Sequence, residues 1–176
     1  IRMAGGCIRP IRTTPEDGYR YAERGRIEPL INERTRAILI TNPGNPTGTV
    51  LSGQELRLVA DIAKEHGLYL ICDEVYREFV YDGMTLTTAA SFRDVDENLI
   101  LIDSVSKRFS ACGARIGALL SRNAALMENA MKIAQARLSV ATLDQVGAVA
   151  LYGVEPSYFD ATREEYQRRR DVCYRK

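Results

Sequence analysis

Three short apolar runs punctuate this sequence: Ala37-Ile38-Leu39-Ile40-Thr41, Leu68-Tyr69-Leu70-Ile71-Cys72 and Leu99-Ile100-Leu101-Ile102. Each gives way at once to polar residues. Runs of this length read as β-strands, and their lack of alternation predicts a sheet covered on both faces. A helix is expected between the first two. Ser52 opens it, Glu55 three residues later completes a capping box, and Gly67 stops it. Leu56, Val59, Ala60 and Ala63 recur at helical spacing. Strands that alternate with helices predict an α/β fold: a mostly parallel sheet with flanking helices. Arg115–Leu120 reads as a fourth strand. The loop before it is too short for a helical crossover, so it is expected to run antiparallel.

The flanks are less regular. Cys7–Thr14 reads as an extended, edge-type segment, because Pro10 tells against a central strand. Pro29–Glu33 reads as a short helix with proline in its first turn. Tyr81–Phe92 reads as loop or short helix. Three helices are expected near the carboxyl end, over Ala124–Ala136, Leu143–Tyr152 and Pro156–Tyr174. The run Arg168-Arg169-Arg170 in the last of them reads as a solvated face. That helix is still running near Lys176, and no obvious first strand opens the chain. The sequence therefore reads as part of a longer protein.

Composition narrows the classes. The 176 residues suit one domain, with 45% hydrophobic and 27% charged residues as in ordinary globular proteins. Lys plus Arg is 24 against 23 Asp plus Glu, a net charge of +1, which predicts neither a nucleic-acid nor a membrane partner. No run reaches the roughly 18 apolar residues of a membrane span, and no signal peptide is visible, so a cytoplasmic location is expected. Cys7, Cys72, Cys112 and Cys173 form no C-x-x-C pair and read as buried free thiols of a reducing compartment. His66 cannot build a zinc site with cysteines so dispersed, and no metal is expected.

Ligands of open α/β sheets sit beyond the carboxyl ends of the parallel strands. There the sequence places Asn42 and Asn45, then Asp73, then Ser104, Ser106 and Lys107. Sequential neighbours at about 5 Å would span about 10 Å, the scale of one aromatic cofactor. Arg115 returns to the same rim. Pyridoxal phosphate (PLP) asks for such a set. A lysine amine forms a Schiff base with its aldehyde, and a carboxylate keeps its pyridine nitrogen protonated. An arginine fork and hydroxyls hold its phosphate. Asn45 and Tyr76 are placed to donate to its ring hydroxyl. Singly, each residue has a plainer reading. Asn45 and Gly48 make turns, Asp73 caps a helix, and Lys107 and Arg115 lie on the surface. Cys112 reads as packing, and Glu74, Arg77 and Tyr81 as structural or surface residues.

Taken together, three motifs resemble those of the class I/II aminotransferases, in that family's order and intervals. They are Asn42-Pro43-Gly44-Asn45-Pro46-Thr47-Gly48, Asp73-Glu74-Val75-Tyr76, and Ser104-Val105-Ser106-Lys107 followed by Gly113-Ala114-Arg115-Ile116-Gly117. The resemblance covers roughly Cys7 to Lys176. It implies an aspartate aminotransferase-like, fold-type-I large domain, partial over residues 1–152. Residues 153–176 would begin the helix leading to a small domain. It gives Lys107 the Schiff base and the proton transfer, Asp73 the pyridinium, and Asn45 and Tyr76 the ring hydroxyl. Ser104, Ser106 and Arg115 are given the phosphate. It further implies amino acid and 2-oxo acid substrates and a homodimer. A segment of this extent should bind PLP weakly without turnover. A PLP lyase or synthase of the same fold, or the effector domain of a transcription regulator, would carry the same motifs. A dinucleotide-binding module fits less well, because no G-x-G-x-x-G follows a strand.

Overall fold

The computed structural model describes residues 1–175. In chain order its elements are α1 (Arg24–Ile27), β1 (Ala37–Thr41), α2 (Gly53–Glu65), β2 (Tyr69–Asp73), β3 (Leu99–Ser104), α3 (Val105–Arg108), β4 (Gly117–Leu120), α4 (Ala124–Arg137), α5 (Thr142–Leu151) and α6 (Pro156–Tyr174). Short 3-10 turns join several of them.

The four strands form one sheet in the order β1-β2-β3-β4. The first three are parallel, and β4 runs antiparallel to β3 as the short loop requires. Thr41 is level with Asp73, Asp73 with Ile102, and Ser104 with Gly117. The polar ends of three strands therefore share one rim.

α2 is fixed at both ends by local chemistry. The Ser52 hydroxyl accepts from Glu55 N at 3.2 Å, and Ser52 N donates to Glu55 Oε2 at 2.8 Å. At the other end His66 caps the helix and Gly67 takes φ +62°, the left-handed conformation that suits glycine. The inner face of α2 (Leu56, Val59, Ala60, Ile62, Ala63) packs on Ile38, Ile40, Leu70 and Cys72 in one buried cluster. Each fully buried Leu, Val or Ile there contributes about 1.5–3 kcal/mol.

The expectation of a sheet covered on both faces fails. Ile38 and Ile40 are buried under α2, but Leu39 on the opposite face is 53% exposed. The C-terminal helices do not cover it. α5 and α6 instead gather at the rim around α3, where Val105, Phe109 and Ala148 form a second buried cluster with Leu151, Val154 and Phe159 packed against it. α4 buries no residue.

Other departures are local. Cys7–Thr14 forms no strand. The helical turn expected over Pro29–Glu33 begins earlier, as α1 followed by a 3-10 turn over Glu28–Leu30 that uses Pro29 in its first positions. β4 starts at Gly117, two residues after Arg115. Of the four cysteines only Cys72 is buried; Cys7, Cys112 and Cys173 are exposed. The small neighbours of Cys112 serve an open 3-10 turn, not a core. Burial, with the Glu74 carboxyl beside it, pushes the Cys72 thiol well above its usual range. Among the described residues no helix is long and apolar enough to cross a membrane.

Candidate active site

The Asn42–Gly48 loop leaves β1 and folds back over the rim. Gly44 N donates to Thr49 O at 2.8 Å, and Gly48 N donates to Gly44 O at 2.9 Å. A side chain at Gly44 would meet Thr47 Oγ1 at 2.8 Å and Thr49 O at 3.3 Å, so anything larger than glycine would force the loop to shift, and Gly48 takes φ +71°. The Asn42–Pro43 and Asn45–Pro46 bonds are cis. Asn42 is fully buried; its N donates to Asp73 O and its Oδ1 accepts from Leu51 N, both at 2.9 Å. Loop and acid-bearing strand are thereby joined at their base.

This folding sets Asn45 against Tyr76, with Asn45 Nδ2 donating to the Tyr76 hydroxyl at 2.9 Å. Lys107 Nζ lies 5.9 Å from the centroid of the same tyrosine ring. Asn45, Tyr76, Ser106 and Lys107 together line a cavity of about 570 Å³. That is inside the roughly 300–1,000 Å³ of small-molecule sites.

Lys107 stands on the one-turn helix α3, not in a loop. Ser104, the last residue of β3, caps this helix, with its hydroxyl accepting from Ser106 N at 3.1 Å. The same hydroxyl lies 2.9 Å from Ile116 O. Ser104 is thus engaged within the turn, while Ser106 lines the cavity.

Three expected residues lie outside the lining. Asp73, half-buried at the end of β2, accepts from Val75 N at 3.1 Å through Oδ1. Its Oδ2 has no hydrogen-bond partner among the described residues. Ser104 is the helix cap just described. Arg115 is exposed, takes φ 56°, and donates to Cys112 O at 2.9 Å within its own loop. Its backbone reaches the expected rim, but its guanidinium points back into the turn that carries it.

The sequence reading missed part of the cavity wall. Phe79 and Tyr166 line it and meet edge to face at 5.2 Å. Tyr81, set aside as structural or surface, lines it as well. Burial pushes the Tyr81 phenol up, against the pull of Arg170, which stacks 5.1 Å from its ring. Arg170 also holds Asp82 through paired bonds of 2.7 and 2.8 Å, which pins α6 along the cavity. Glu74, by contrast, is structural: 2% exposed, it accepts from Ala89 N at 2.9 Å and from the Thr88 hydroxyl at 2.8 Å.

A family model described as aminotransferase class I and II matches residues 1–176. The chain belongs to that family. It is 31% identical over 175 residues to the aspartate/prephenate aminotransferase of Thermus thermophilus, covering 98% of this chain and 44% of that protein. It is 33% identical over 179 residues to aromatic-amino-acid aminotransferase 2 of Thermococcus litoralis, covering 100% of this chain and 46% of that one. The solved structure of the Thermus thermophilus aspartate aminotransferase with maleate superposes with a TM-score of 0.86 at 31% identity, covering 97% of this chain and 44% of that chain. This aminotransferase-family chain spans about half the length of the relatives it matches.

Proposed function

We propose that the whole protein is a PLP-dependent aminotransferase that moves an amino group between an amino acid and a 2-oxo acid. The observation that carries this is the meeting of Lys107, Ser106 and the Asn45–Tyr76 pair in one cavity at the carboxyl rim of the parallel strands. The donor set suits the cofactor: an amine, the Asn45–Tyr76 pair and the Ser106 hydroxyl line a cavity of adequate size, and the Asp73 carboxylate, with an uncommitted oxygen, ends β2 at the same rim outside that lining. Bound there, PLP supplies an aldehyde that condenses with amines, losing water, and a ring that accepts electrons from a carbanion.

The chain's residues divide the remaining work. Lys107 Nζ would hold the cofactor and, as a free amine, would move the proton at the substrate α-carbon. Asp73 would be the carboxylate that keeps the pyridine nitrogen protonated. Asn45 and Tyr76 bind the ring hydroxyl. Ser106 and Arg115 would hold the phosphate, Arg115 by exchanging its Cys112 contact for the anion, and Ser104 would join them by giving up its contacts with Ile116 and Ser106. The homodimer that the family resemblance implies is extended to the whole protein on that resemblance alone. A cytoplasmic location agrees with this small-molecule chemistry.

The test is covalent trapping. Borohydride reduction in the presence of PLP should leave the cofactor fixed on Lys107, and Lys107→Ala should abolish the label. Label retained in that variant, or found on another lysine, would overturn the assignment. Keto-acid formation without ammonia release then separates transamination from elimination.

A further inference from the structure

Lys107 and Arg108 are consecutive on α3, yet their side chains go to different places. Lys107 lines the cavity. Arg108 turns away, with its side chain only 23% exposed. Its Nε lies 3.0 Å from Glu78 Oε1, in the loop after β2. Its Nη1 lies 3.5 Å from Asp103 Oδ2, in β3. Its guanidinium stands 5.3 Å from the Phe109 ring, 6.0 Å from Tyr152 at the end of α5, and 5.6 Å from Phe159 in α6. One guanidinium thus ties the lysine-bearing turn to β3, the post-β2 loop, α5 and α6. A second tether lies nearby. The Tyr158 hydroxyl of α6 is 3.2 Å from the Ser110 hydroxyl, and Ser110 is a non-glycine residue at φ 54°.

We propose that Arg108 is a positioning residue for Lys107. A four-residue helix has too few internal bonds to hold itself, so the aim of Lys107 depends on what grips the turn from behind. The planar guanidinium can stack on rings while reaching two carboxyl groups, which an ammonium cannot do at once. Held in this way, α3 presents Nζ to the cavity at one height and angle. The inference rests on the reading of Lys107 as the cofactor-bearing amine, and the experiment keeps the two separable.

The whole protein is prepared as wild type and as Arg108→Met, Arg108→Lys and Phe159→Leu. Three quantities are measured: PLP affinity, the pH midpoint of the bound chromophore's colour change, and the melting temperature. The colour change reports the proton on the lysine–cofactor imine, which depends on how the lysine is aimed. Arg108→Met should weaken PLP binding about tenfold, below the roughly hundredfold that a 1 Å misplacement can cost in rate. It should also move the chromophore midpoint. Arg108→Lys should recover part of both. Phe159→Leu, which keeps both carboxyl partners, should move them less and in the same direction, and it decides the matter if Arg108→Met does not fold. Variants that melt lower but keep the wild-type midpoint and affinity would overturn the proposal and leave Arg108 a purely structural residue. Borohydride labelling of wild-type Lys107 is the separate control: its failure would sink the cofactor assignment itself.

Discussion

Glu74 and Asp73 are adjacent acids with opposite expected behaviour, and Glu74→Ala tests this. The Glu74 side chain is 2% exposed and accepts from Ala89 N, whose residue is fully buried, and from the Thr88 hydroxyl. Alanine removes both acceptors. Leaving the Ala89 N–H buried without a partner costs about 1–3 kcal/mol, and the lost Thr88 bond adds about 1 kcal/mol. The missing methylene adds about 0.8 kcal/mol. The expected loss is about 3–5 kcal/mol. Glu74→Gln keeps an acceptor for Ala89 N, and the Thr88 hydroxyl can rotate to meet the new amide, so about 1 kcal/mol should be lost. Asp73→Ala should leave stability within about 1 kcal/mol of wild type, since its side chain makes one local bond. It should, however, weaken PLP binding strongly. Urea-induced unfolding measures the first set and cofactor titration the second. Equal losses for Glu74→Ala and Glu74→Gln would refute the hydrogen-bond argument. Cofactor binding that survives Asp73→Ala but fails in folded Glu74→Gln would show that the two roles are reversed.

Three other outcomes are expected. Ser52→Ala removes the acceptor for Glu55 N and should lower stability by about 1 kcal/mol in thermal unfolding. A thiol reagent should modify Cys7, Cys112 and Cys173 in the native protein and spare Cys72; PLP should slow modification of Cys112 alone, because it lines the cavity. Mass spectrometry of the labelled peptides checks both. Arg168 and Arg169 hold the Glu165 carboxyl down at about 2, below its ordinary value. A depressed carboxyl contributes stability that is complete above the unfolded pKa of about 4.3 and is lost as pH falls towards the folded value. Circular dichroism during acid titration should therefore show helix loss beginning below about pH 4 and delayed relative to Glu165→Gln, whose exposed partners make the difference small.

What was legible in the sequence was what local chemistry decides. The capping box at Ser52 and the apolar spacing through Ala63 specify α2 without reference to anything distant. The parallel order of β1 to β3 follows from the lengths of their connections. What was not legible depends on contacts between distant parts of the chain. Leu39 reads as core from its neighbours alone, but burial requires a second layer, and α5 and α6 pack at the rim instead. Tyr166 reaches the cavity because Arg170 clasps Asp82 and Tyr166 meets Phe79. No periodicity in α6 announces either contact.

Two dipeptides show why residue type at the right spacing does not by itself assign a role. Asp73-Glu74 offers two acids at the end of β2, and Lys107-Arg108 offers two cations on α3. Successive side chains point in different directions in a strand or a helix. Only one member of each pair can therefore address the rim or the cavity. The other must be absorbed behind it: Glu74 by hydrogen bonds from Ala89 and Thr88, Arg108 by ion contacts with Glu78 and Asp103, its Nε making no hydrogen bond, and by three rings. The anchored member fixes the strand end or turn from which its neighbour is presented. A charge-preserving exchange at the anchor should therefore disturb the site through geometry. The same exchange at Lys107 or Asp73 should disturb it through chemistry, and cofactor affinity compared with folding stability tells the two apart.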